Sequence, residues 1–396
     1  MVSIHSFAYS GDDTNEVVNR LLAETLSACE SPTFGFIFYG CDHDGHAIRS
    51  AFEDALPHMP YLGGTSCSGV MAGGKLWGEG SIGSLIVDDP AGNFGVGCAV
   101  LGDSPSFAAE KALNQALANA GCPGEVPELI WIYQAPGHEE DVVAGLKRLV
   151  GEACPIIGGS SADNTVEGNW AQICPMGVFT DAVIVGVMFT SGGVGFSFQG
   201  GYEPAGPRGI VAKRNGREIL EIDDAPAAAT YNGWIRGAID KQLEHGGVIL
   251  AETTMFPLAV DMGDQEGIPH YRLVHPESIT ADGGLSTFAN IDAATEIFCM
   301  RGDRDRLIER AGRAATEATT KLPGGPDSLA GGLLVYCAGC MMAVGDQMPE
   351  VAETVARSFS DMPFLGCFTF GEQGTLARQN VHGNLMISAI AFGNGL

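Results

Sequence analysis

Cys337 and Cys340 stand three residues apart in Cys337-Ala338-Gly339-Cys340, a spacing that serves either a redox pair or half of a zinc site. Zinc would need Cys367 and His382 as later ligands, since no second Cys-x-x-Cys exists in the chain. The plainer alternative packs Cys337 at a strand end and leaves Cys340 in a loop. Three phrases rich in glycine and hydroxyls offer a different chemistry. They are Gly63-Gly64-Thr65-Ser66-Cys67, Gly158-Gly159-Ser160-Ser161-Ala162-Asp163 and Gly366-Cys367-Phe368-Thr369-Phe370-Gly371-Glu372. Glycine lets a ligand approach the backbone, and hydroxyls both donate and accept hydrogen bonds. The candidate ligand contacts are therefore Thr65, Ser66, Cys67, Ser160, Ser161, Asp163, Cys337, Cys340, Thr369 and Glu372. The competing reading is that such turns only satisfy strand ends.

Other motifs carry less. Asp42-His43-Asp44-Gly45-His46 has metal-friendly side chains but precedes a helix and reads as a polar loop with a cap. Gly69-Val70-Met71-Ala72-Gly73-Gly74-Lys75 nearly spells a phosphate-binding loop, yet Leu76 stands where a hydroxyl must hold magnesium. Ser66 and Ser161 lack the Gly-x-Ser-x-Gly setting of a hydrolase nucleophile. Nine histidines offer no spacing that names a haem ligand. No catalytic residue and no metal ligand is assigned.

The elements that must position these residues recur along the chain. Short apolar runs end in Phe36-Ile37-Phe38-Tyr39, Trp131-Ile132-Tyr133 and Leu334-Val335-Tyr336, each reading as a buried strand. A polar loop and an amphipathic helix follow each. The helical stripes are Ile48, Phe52, Ala55 and Leu56; Val142, Val143, Leu146, Leu149 and Val150; and Val351, Val355 and Phe359. Then come the glycine and hydroxyl phrases, each opened by a proline (Pro60, Pro155, Pro363), and a closing strand at 84–87, 182–189 or 385–392. Upstream, 5–12, 97–103 and 297–303 each form a strand ending in Gly-Asp, with Thr14, Ser104 or Asp303 as helix cap. The fold class is thus α/β: three degenerate β-α-β-α-β-β repeats forming mixed sheets flanked by helices. An inserted α+β segment, about 201–290, begins with the turn-rich 202–207. It continues through a hairpin at Asn215-Gly216 and a helix near 226–243, and separates two copies from the third.

Composition excludes several classes. The chain has 396 residues, of which 45% are hydrophobic and 17% charged, so it folds around a large core. A net charge of −27 disfavours nucleic acid and anionic membrane surfaces. No apolar run approaches the roughly 20 residues that span a bilayer. Eleven scattered cysteines and an amino terminus without a signal pattern fit a cytoplasmic protein.

In the order and spacing of these motifs the chain resembles the FIST family over nearly its whole length. The amino-terminal part rests on Gly63 to Gly69 and Gly158 to Asp163. The carboxy-terminal part rests on Gly216 to Ile222 with Pro226 and Tyr231, on Tyr336-Cys337-Ala338-Gly339, and on Gly366 to Glu372. The resemblance implies a FIST N-terminal domain at 1–200 and a FIST C-terminal domain at 201–396. It also implies a sensory module for a small polar molecule, amino acids among the proposed ligands, signalling through a separate protein partner. Two alternatives stay open: a haem-binding nitric-oxide sensor of the same family, and a thiol-dependent enzyme using Cys337 and Cys340. Cys340 stands where the family pattern places arginine, so the expected pocket lacks one anion-pairing contact.

Overall fold

Phe34–Tyr39, Leu129–Gln134 and Leu329–Cys337 are buried at every position in the computed structural model, which describes residues 1–265 and 267–395. A strand covered on both faces must be apolar on both, and these three divide their side chains accordingly. Phe34, Phe36, Phe38, Leu129, Trp131, Tyr133, Leu333 and Val335 turn inward into one core shared by three sheets. The alternate residues face helices: Ile37 and Tyr39 in the first sheet, Ile130 and Ile132 in the second, Leu334 and Tyr336 in the third.

Each strand is the middle of a six-stranded mixed sheet. The first sheet runs Ser3–Ser10, Ser81–Asp88, Phe34–Tyr39, Tyr61–Thr65, and the second Asn93–Val100, Ala182–Phe189, Leu129–Gln134, Ile156–Ser160. The third runs Val194–Gly200, Met386–Gly393, Leu329–Cys337, Phe364–Thr369. Only the last pair in each set of four is parallel. Each set is then extended by a short hairpin from elsewhere in the chain. Gln172–Cys174 with Gly177–Phe179 joins the first sheet, Glu372–Leu376 with Gln379–Gly383 the second, and Val70–Ala72 with Lys75–Trp77 the third. The exchange is cyclic, so no sheet is complete without another. A matching ring of backbone bonds joins the hydroxyl phrases: Cys67 N–H to Phe368 O at 3.2 Å, Ala162 to Thr65 at 3.1 Å, and Phe370 to Ser160 at 3.2 Å.

Helices cover the outer faces. Ile48 and Phe52, Val142, Val143, Leu146 and Val150, and Val351, Val355 and Phe359 are buried, whereas Leu149 points outward. Asp13 rather than Thr14 caps the first helix; Asp44 and Asp303 cap theirs, and Ser104 makes no side-chain cap bond. Among the described residues no helix is long and apolar enough to cross a membrane.

One expected strand changes partners. Glu296–Arg301, read from sequence as the opening strand of the third unit, lies in a fourth sheet between Glu203–Asn215 and Leu258–Gln265. Val194–Gly200 takes the expected place, pairing along its length with Met386–Gly393. The insertion therefore interrupts the third unit between its first strand and its helix Arg304–Thr320, and does not precede it. A strand's membership is set by its hydrogen-bonding neighbour, which its own residues do not reveal. Within the insertion, 202–207 opens a strand, and the hairpin at Asn215-Gly216 is present. The helix near 226–243 is split into Ala227–Trp234 and Asp240–His245, with Asn232 Oδ1 accepting from Ile239 N–H at 3.1 Å between them.

Candidate functional site

Where the insertion meets the three-sheet body there is a cavity of about 530 Å³, within the size range of small-ligand pockets. The insertion contributes Leu250, Thr254, Met255, His275 and Phe288. The third unit contributes Cys337, Gly339, Met342, Thr369, Phe370 and Asn384, with Arg304 from the start of its long helix. Cys67 and the loop residues Asn164, Thr165 and Val166 bring in the first two units.

The wall at 164–166 is shaped by Asp163, whose buried carboxylate accepts N–H bonds from Thr165, Val166, Glu167 and Asn169. Burial alone would raise this carboxyl, but the four donors outweigh it and hold it below its ordinary value. At the inner end Thr369 Oγ1 donates to Glu372 Oε1 at 2.9 Å, and Met386 N–H donates to Oε2 at 3.1 Å. Burial, reinforced by the adjacent Cys337, raises the Glu372 carboxyl well above its ordinary value. Burial also pushes the Cys67 thiol up to about 11, and Cys337 well upward.

Two polar groups stand apart. Asn384 is 2% exposed; its Oδ1 accepts from His275 N–H at 3.3 Å, while its Nδ2 has no partner. A buried donor left unmade costs about 1–3 kcal/mol, so this amide is prepared for something else. Arg304 is exposed at the rim, its Nε donating to Ala343 O at 2.9 Å. Among the described residues no carboxylate pairs with it. His275 is held by burial at about 4, hence neutral, with Nε2 3.1 Å from the Thr253 hydroxyl and a further bond to the Leu250 backbone.

Of the sequence candidates, Cys67, Cys337 and Thr369 line the cavity, Glu372 lies behind Thr369, and Asp163 lies behind the loop wall. The others are bonded or packed away from it. Thr65 Oγ1 accepts from Ala171 N–H at 3.0 Å, and Ser66 Oγ accepts from Phe368 N–H at 2.8 Å. Ser160 Oγ donates to Glu139 at 2.7 Å, and Ser161 Oγ donates to Gln134 O at 3.1 Å. Cys340 is not in a loop: it is fully buried in the helix Ala338–Val344, its sulfur 3.6 Å from the Tyr202 hydroxyl, and it does not line the cavity. His275, Asn384 and Phe288 have no motif around them that sequence reading could have used, and Arg304 follows a recurring Gly-Asp strand end that signals a helix start and not a ligand.

Cys337, Cys340, Cys367 and His382 do not converge as a zinc set. Among the described residues the one group whose ligand atoms lie within 4.8 Å of one another is Glu139, Glu140 and His382. Arg217 already bonds both of those carboxylates, at 2.6 and 2.5 Å, and Asn290 N–H donates to Glu140 at 2.6 Å. This is a latch between the insertion and the second unit. His382 Nε2 lies 3.3 Å from Phe288 O, which carries the latch to the cavity wall.

The thiols give a direct check. Cys41 and Cys98 are partly exposed and the other nine cysteines buried. A bond from Cys174 lowers the Cys98 thiol despite its burial, with Lys111 adding to the effect. Brief iodoacetamide treatment of native protein at pH 7 should label Cys98 first and Cys41 next, read by peptide mass spectrometry. Equal labelling of Cys337 would contradict this order.

An α/β body with an inserted sheet packed beside a partly open, largely apolar cavity is the build of a ligand-binding module. The chain belongs to the FIST family: the FIST N domain matches residues 33–225 and the FIST C domain residues 227–375. FIST domains are sensory signal-transduction modules thought to bind small ligands. No curated protein matches the chain in sequence. Among solved structures, a cyanuric acid hydrolase from A. caulinodans is 9% identical over 99% of each chain, with a TM-score of 0.36. PurLQS from Thermotoga maritima is also 9% identical, over all of this chain and 73% of the other, with a TM-score of 0.22. Likeness at that level carries no functional weight.

Proposed function

We propose that the protein is a cytoplasmic sensor whose ligand, an amino acid or a related metabolite, binds in the cavity between insertion and body. Its output passes to a separate protein partner. The observation that carries the reading is that one cavity touches all three units and the insertion at once. A ligand there fills the seam and draws its walls together, and anything that binds only the closed form shifts the balance toward it. Thiol catalysis is less well supported, because Cys67 and Cys337 are held protonated by burial. The residues present do not fit a haem iron either: the one imidazole of the cavity has its Nε2 facing the Thr253 hydroxyl.

Ala251 is exposed at the cavity edge, so Ala251→Trp should occlude the mouth without disturbing the core. Among amino acids and their relatives screened by thermal shift, the binders should raise the melting temperature of the parent. The same compounds should leave Ala251→Trp unmoved, with its own melting temperature close to the parent's. An undiminished shift in the variant would place the site elsewhere.

A further inference from the structure

We infer that the ligand is an apolar carboxylate without an ammonium group: the acid skeleton of an amino acid rather than the zwitterion. The inference rests on the cavity being the binding site and narrows its chemistry.

The charge pattern carries it. The chain has 48 acidic residues against 21 basic ones, yet among the described residues no Asp or Glu lines this cavity. Glu167 lies outside the lining, exposed, its carboxylate accepting from the Thr165 hydroxyl at 3.0 Å, and two further acids behind the wall are occupied. Glu372, behind Thr369, is buried with its two oxygens engaged by the Thr369 hydroxyl and Met386 N–H, and Asp163 is saturated by backbone N–H groups. The one formal charge on the lining is Arg304, whose guanidinium keeps donors free beyond the Ala343 bond. A guanidinium without an acid partner, in so acidic a protein, is matched to an anion that arrives from solution.

The remaining lining fixes the rest of the molecule. Met255, Met342, Phe288 and Phe370 present thioether and ring surface, which suits an apolar or aromatic body. Asn384 Nδ2, buried and unpartnered, asks for an acceptor such as a carbonyl, hydroxyl or carboxylate oxygen. An ammonium would enter this space without any carboxylate to pair with, and burying an unpaired charge is costly. Two donors and, among the described lining residues, no anionic acceptor therefore select against zwitterions and amines.

Three probes of one shape test this by calorimetry: 3-phenylpropanoate, 3-phenylpropanamide and L-phenylalanine. The propanoate is expected to bind at least about tenfold more tightly than either of the others, as a charge-assisted bond allows. Arg304→Met should remove that advantage while leaving the affinity for the amide unchanged. Asn384→Leu, which removes the donor without adding a charge, should weaken propanoate binding at least about tenfold. Phenylalanine binding as tightly as the propanoate, or an unchanged propanoate affinity in Arg304→Met, would overturn the anion inference and leave the site standing. If none of the three binds the parent, or if Ala251→Trp binds all that the parent binds, the site reading itself falls.

Discussion

Arg217→Met is expected to lower stability at pH 7 by about 3–5 kcal/mol, the range for removing one partner of a buried ion pair. Arg217 Nη2 bonds Glu139 and Glu140, and Glu139 is 3% exposed, so the variant strands a carboxylate with little access to water. Burial alone would raise Glu139. The charges of His382 and Arg217, with bonds from Arg217 and Ser160, outweigh it and hold the carboxyl at about 2. A folded-state value below the ordinary 4.5 means that the parent's gain is full above pH 4.5 and fades between 4.5 and 2. Without Arg217 the sign reverses. Burial then favours protonation, so acidification relieves the variant while it weakens the parent. Urea unfolding at pH 7 and pH 4 should show the deficit shrinking at the lower pH. The same variant should weaken ligand binding, since the latch holds the wall that carries Phe288. A deficit under about 1 kcal/mol that ignores pH would mean that the latch is screened by water and holds nothing.

Gly158→Ala should cost about 4 kcal/mol or more for a single methyl group, and in practice fail to accumulate as soluble protein. A Cβ built there lies 1.9 Å from Ile132 O, on the parallel neighbour strand, and both residues are buried inside the second sheet. The obstacle is backbone, which cannot swing aside as a side-chain end can. Gly63 holds the matching place in the first sheet, 1.8 Å from Ile37 O, and Gly63→Ala should fail in the same way. Gly233→Ala is the control: it lies on a helix with open space around it, so alanine should be neutral or stabilise by up to about 1 kcal/mol. Recovery of folded Gly158→Ala with a melting temperature within a few degrees of the parent would refute the close-approach argument.

The glycine and hydroxyl phrases show how far reading from sequence reached. Their recurrence marked the places where three strands end, and those ends do meet, through the ring of bonds from Cys67, Ala162 and Phe370. Three of the ten candidates drawn from sequence, Cys67, Cys337 and Thr369, line the cavity, and Glu372 and Asp163 support its walls. Thr65 and Ser66 spend their hydroxyls on joints between units, because a cyclic exchange needs its strand ends tied, while the Ser160 and Ser161 hydroxyls donate to Glu139 and Gln134 inside the second unit. Cys340, expected where the family pattern has arginine, lies against Tyr202, and the cavity's guanidinium comes from Arg304 instead.

The sequence by itself determined the strands and helices, since apolar alternation at periods of two and 3.6 is a local property of the chain. It also determined the family, which the order of short phrases carries across nearly all 396 residues. Only the tertiary structure decided which strand pairs with which. Val194–Gly200 and Glu296–Arg301 are both short, half-apolar strands, and a partner strand nearly 200 residues away from the first chooses between them. The cavity belongs to the same class of fact. Arg304, Asn384, His275 and Phe288 are scattered along the chain, and no ligand-binding phrase marks them, because what joins them is the packing of the insertion onto the body.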